Sequence, residues 1–148
     1  MKLILLAAFF IELIQGQGVC VLDPIVTDVT SGRVLFHYQG QYRVLSKGAV
    51  TLRKSRHIDQ RVMVVEVGPD GSFQLKGVKP GKYVLEARSP SLISVSVDYR
   101  VSFGKKATSP SGLLILLGGD ATKPCGGGSI TVATVAKIGR IVAEAKKP

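Results

Sequence analysis

The chain has 148 residues, 20 Lys and Arg against 10 Asp and Glu for a net charge of +10, 45% hydrophobic residues, 17 Gly, two Cys and no Trp. That is the length of one domain, too apolar for a disordered chain, and the composition excludes a coiled coil, a collagen-like repeat, a multi-helix membrane protein and a disulfide-rich miniprotein. What remains is a small β domain punctuated by glycine.

Lys2 precedes an unbroken run of nine apolar residues, 3–11. Glu12 interrupts the run, and Gly16-Gln17-Gly18 follows. A charged start, a short apolar stretch and small residues near a cut are the anatomy of a secretory signal peptide, residues 1–18. The cut falls after Gly18, with Gly16 as the alternative. The run is shorter than the roughly 20 residues of a membrane span. A retained signal anchor and a buried N-terminal element are the other readings. Lipid attachment at Cys20 fits poorly, because Val19 and Gln17 stand where a small residue and a Leu are needed. Removing Lys2 and Glu12 leaves the net charge at +10.

Strand signals then recur with turn signals between them. Residues 33–38 are β-rich and end at Gln39-Gly40. Residues 49–53 place Val50 and Leu52 on one face, and residues 61–67 are strongly β-branched. Gly68-Pro69-Asp70-Gly71 is a tight turn, where Pro presets φ and Gly permits positive φ. Residues 72–75 alternate, Lys79-Pro80-Gly81 turns the chain, and residues 82–87 alternate again, burying Tyr83, Leu85 and Ala87 or their neighbours. Residues 92–103 have period two, with Ile93, Val95, Val97, Tyr99, Val101 and Phe103 on one face. Residues 113–117 are an apolar run that suits a central strand. Residues 129–135 form the last strand, with Ile130, Val132 and Thr134 facing one way. From Ala133 onward the chain is rich in Ala and Lys and fits a short helix with Ile138, Ile141 and Val142 on one side. The spacing predicts an all-β fold, a seven- to eight-stranded antiparallel β-sandwich of prealbumin-like or immunoglobulin-like type. The sandwich domain spans residues 19–135, and residues 136–148 form a basic C-terminal tail or helix.

Two Cys in an exported chain are commonly paired. A Cys20–Cys125 disulfide is expected, with two unpaired thiols as the alternative.

The stretches Ser31-Gly32-Arg33-Val34, Gly48-Ala49-Val50-Thr51-Leu52, Pro69-Asp70-Gly71-Ser72-Phe73 and Gly77-Val78-Lys79-Pro80-Gly81-Lys82-Tyr83-Val84-Leu85 resemble the carboxypeptidase regulatory-like domain. That family groups with the prealbumin-like and Cna-B-type sandwiches. The resemblance covers roughly residues 31–103 and is most specific over residues 70–85. It implies a bacterial exported protein whose sandwich is a scaffold. The chain is longer than the family pattern between Tyr38 and Ala49 and over residues 54–60.

No constellation for catalysis is found: the motifs of zinc proteases, serine hydrolases and P-loops are missing. The acidic residues are scattered, with no pair spaced as a general acid and base. No catalytic residue, metal ligand or cofactor is assigned. His37 and His57 read as ordinary structural or solvated histidines, and Cys125-Gly126-Gly127-Gly128 as a flexible surface loop. The candidate binding surface is Tyr38, Tyr42, Arg43, Lys47, Arg53, Lys54, Arg56 and Arg61. Its cations suit an acidic glycan, a membrane surface or nucleic acid. Nucleic acid is set aside for want of interleaved aromatics.

The expected function is a non-enzymatic, secreted, periplasmic or cell-surface module with a structural or interaction role at the cell envelope. Its partner would be an unknown protein or glycan, with no membrane span after signal cleavage. One alternative is a carbohydrate-binding module with a platform at Tyr38 and Tyr42. Another is an accessory domain of a peptidase or outer-membrane system, with an exposed apolar edge around residues 113–117.

Overall fold

The structure, a computed structural model, describes residues 19–54, 56, 60–104, 109–120 and 122–146. The signal peptide, its cleavage point, His57 and the last two residues lie outside the described residues.

The chain forms an all-β sandwich closed by one helix. One sheet takes β1 (Cys20–Thr27), β8 (Val95–Val101), β7 (Gly81–Arg88), β4 (Ala49–Arg53) and β5 (Arg61–Glu66), in that spatial order. The other takes β10 (Ser129–Thr134), β9 (Ser111–Leu117), β2 (Ser31–Tyr38) and β3 (Gln41–Val44), with β6 (Ser72–Gln74) pairing the first part of β2. A helix, α1 (Val135–Ala145), ends the described chain, and it is neither long nor apolar enough to cross a membrane.

The described residues thus hold ten strands where the sequence spacing predicted seven or eight. The two additions have local reasons. β1 carries Pro24, which interrupts its strand pattern. Pro has no N–H to donate, but an edge strand tolerates it, and the register shifts between Leu22 and Ile25 to let it through. β3 lies inside what looked like a long loop. Gln39 and Gly40 both have positive φ, 49° and 78°, as a two-residue hairpin turn requires, and they fold β3 back onto β2. The sandwich is also not purely antiparallel, because β1 runs parallel to β8 and β2 parallel to β9.

The main core lies between the sheets. Val50, Leu52, Leu85, Val97 and Tyr99 meet Val34, Leu113, Ile115 and Leu117, all essentially inaccessible. The Tyr99 hydroxyl donates to the Val29 carbonyl. β9 is buried between β10 and β2, and Leu114 turns outward into a second core. That explains its continuous apolar sequence, since both faces are covered. No exposed apolar edge exists at residues 113–117.

The second core is made by α1. Thr134 caps it, accepting from the Lys137 N–H at 3.2 Å. Ile138, Val142 and Ala145 are buried against Leu35 and Leu114. Ala145 takes the place expected for Ile141, which is half-buried, because the face follows 138, 142, 145. A Cβ on Gly112 would stand 2.9 Å from the Ile138 Cδ1, so this glycine gives the helix its seat. Residues 135–145 therefore form a helix packed on the sandwich. Two outward faces were also misjudged. Phe103 lies past the end of β8 and is 60% exposed, and Val132 is 42% exposed, leaving Ile130 as the buried residue of β10.

Cys20 and Cys125 are joined in a disulfide, with Cα atoms 5.4 Å apart. It ties the first residue of β1 to a 3-10 turn at Pro124–Gly127. The glycines after Cys125 are not a loose surface loop. Gly126 is buried with φ 62°, and a Cβ there would stand 2.7 Å from Ile93 Cδ1 and 3.0 Å from the Gly118 carbonyl carbon.

Candidate functional site

The eight nominated binding residues divide between opposite ends of β4. Tyr38, Tyr42 and Arg43 sit on the β2–β3 hairpin, and Lys47 just precedes β4. Arg53 closes β4, Lys54 and Arg56 follow it, and Arg61 opens β5.

At the hairpin, successive side chains alternate faces. Tyr42 pairs across the strands with His37, their rings edge-on with centroids 5.4 Å apart. Tyr38 is paired with Gln41 and points the other way. The two tyrosines therefore form no common platform, and His37 serves as a cross-strand partner. Arg43 donates to the Gln41 side-chain oxygen at 3.1 Å. Lys47 and Tyr38 line an open concavity of about 900 Å³ that reaches Leu92 and Asp120. At its rim Asp120 accepts from the Thr122 hydroxyl and N–H, which hold its carboxyl below the usual range.

At the other end Arg56, just past β4, reaches across to β8. Arg56 donates to the Ser96 hydroxyl and, at 2.9 Å, to Asp98 Oδ1 on β8. Lys54 stands over the Tyr83 ring, 4.9 Å from its centroid, a cation–π contact. These residues border a concavity of about 540 Å³ together with Lys82, Arg100 and Val26. Sequence reasoning missed Lys82 and Arg100. Their outward phase was readable, since each adjoins an inward tyrosine. Their meeting was not, because it depends on the pairing of β7 with β8, which sets Lys82 opposite Arg100.

Other charged groups hold the fold. Asp70 closes the turn before β6, accepting from the Ser72 hydroxyl and N–H and pairing with Arg33. These bonds hold its carboxyl well below the usual carboxylate range. Glu86 is buried mid-sheet between Thr51 and Ser96 and pairs with Arg88. Burial, with a smaller effect from Asp28, pushes the Tyr99 phenol up to about 12.

Fold and surface together define a class of protein: a disulfide-closed β-sandwich that presents a hairpin at one end and a cationic concavity at the other. A model of the β-sandwich domain of ER membrane protein complex subunit 7 matches residues 39–117, just over half of the chain, and the chain belongs to that family. No curated protein and no solved structure matches it.

This finding overturns the carboxypeptidase regulatory-like assignment. The motif over residues 70–85 lies within the matched segment and encodes turns and core contacts; such a motif specifies geometry and is silent on setting. The bacterial origin falls with it, because the endoplasmic reticulum is absent from bacteria. So do the periplasmic and cell-envelope role, the glycan or envelope partner, the carbohydrate-binding module and the outer-membrane accessory domain. Membership in a family of the endoplasmic reticulum keeps the coarser expectation of a protein of the secretory pathway.

Proposed function

We propose that the chain is a luminal, non-catalytic subunit of the ER membrane protein complex, with the sandwich as its folded body. The family match over residues 39–117 carries this reading. Two further observations support it. The Cys20–Cys125 bond suits an oxidising lumen. The apolar run at residues 3–11 suits a signal that delivers the chain there. The charged groups favour a scaffold as well, since Asp70, Glu86, Asp98 and Asp120 are each engaged in a turn or a cross-strand contact. Recognition then falls to loops and exposed strand faces.

The test is a tagged chain in microsomes of the native host. Expected are protection from added protease until detergent is present, and elution after mild solubilisation with the other subunits of the complex. Digestion in intact microsomes, or elution as the free chain, defeats the proposal.

A further inference from the structure

The end of the sandwich around Lys54, Lys82 and Arg100 has features that complex membership alone does not require. β1, β4 and β8 all finish there, and β7 begins there. Lys82 and Arg100 are exposed cross-strand neighbours of like sign, and among the described residues neither makes an ion pair. Like charges set directly opposite each other repel, so an outside anion is the natural complement. Lys54 is exposed beside them, and Lys79 lies in the turn leading into β7. Among the described residues, the acids nearby are Asp98, already bonded to Arg56, and Asp28 at the rim.

Two large apolar side chains flank these cations. Val26 is 66% exposed and lies opposite Arg100 in the β1–β8 register. Phe103 is 60% exposed, one residue beyond Ser102, whose N–H donates to the Thr27 carbonyl at 3.0 Å. Val26 stands near the end of β1 beside the cations, and Phe103 follows β8 at that same end. A free phosphate would use the cations and leave Val26 and Phe103 without a role. A bilayer surface uses both, with phosphates on the cations and apolar side chains at the acyl boundary.

We propose that this end of the sandwich rests on an anionic phospholipid surface, with Lys54, Lys82 and Arg100 at headgroup phosphates and Val26 and Phe103 inserted beside them. The proposal draws on the functional reading for a membrane within reach, and on the geometry for everything else.

The test is flotation of the purified, disulfide-bonded chain with vesicles of phosphatidylcholine alone and of phosphatidylcholine mixed with phosphatidylinositol. Expected is binding to the mixed vesicles that weakens with salt. Lys82→Glu and Arg100→Glu should each lower the partition by at least roughly fivefold, and Phe103→Ser should lower it as well. Arg43→Glu, at the opposite end, should leave it unchanged. Thermal melts establish that each variant is folded. Equal retention on both vesicle types, indifference to Lys82→Glu and Arg100→Glu, or full competition by inorganic phosphate with no effect of Phe103→Ser would overturn the proposal. A chain that assembles with the complex yet does not float with mixed vesicles refutes the membrane contact and leaves the functional reading standing.

Discussion

Asp70 shows how a residue that looks like a candidate for chemistry is committed to the fold. Its carboxylate closes the turn into β6 through Ser72 and Arg33, and those bonds favour the charged form. A group with a lowered folded pKa stabilises fully above its unfolded value, about 4, and less as pH falls below that. Asp70→Asn should therefore lower the denaturation midpoint at neutral pH, and its gap from the wild type should close in acid. A gap constant from neutral to acid pH would contradict this account. Tyr99 has the opposite sign. Its neutral phenol donates to Val29, and its folded pKa of about 12 lies above the ordinary 10. Its contribution is complete below about pH 10 and is lost as pH rises toward 12. Tyr99→Phe should cost about 1 kcal/mol at neutral pH and flatten the alkaline fall, read by denaturant titration at stepped pH. Gly126→Ala should cost about 1–3 kcal/mol, since φ 62° is unfavourable for Ala and the added Cβ meets Ile93.

At the scale of elements, what the sequence disclosed depended on whether an element's reason is local. β4, β7 and β8 carry strand-forming sequences and stand within a residue or three of where the pattern puts them. β1 and β3 were hidden. Pro24 disguises one, and the other follows a positive-φ turn begun by Gln, which is not a usual hairpin residue. The candidate site was less legible than the fold. Lys54 and Arg56 are near in sequence and border one concavity, Arg53 and Arg61 pair across β4 and β5 outside its lining, Lys82 and Arg100 join Lys54 and Arg56 only through long-range pairing, and Tyr38, Tyr42, Arg43 and Lys47 go elsewhere. α1 earns its place through packing: an isolated helix of 11 residues is marginal in water. Ile138→Ala should therefore cost about 2–5 kcal/mol, seen as a lower melting temperature with the far-ultraviolet sheet signal retained. An unchanged melt would mean that α1 is not docked on β9.

For the whole molecule, the disulfide and the family carry the account. The bond spans 105 residues of sequence and ties β1 to the turn before β10. Removing so long a closure should cost about 4–5 kcal/mol in the chain-entropy model, measured by comparing Cys20→Ser/Cys125→Ser with the oxidised wild type. The net charge of +10 is unevenly used. Part of it lies in turns and cross-strand pairs, and part gathers at the end around Lys82 and Arg100, where the apolar rim gives it a direction. The most direct test of the central claim is to purify the ER membrane protein complex from native-host membranes through a different subunit and quantify this chain by mass spectrometry. The account predicts recovery in equal molar amount with the other subunits. Its absence, or recovery only at trace level, would contradict it.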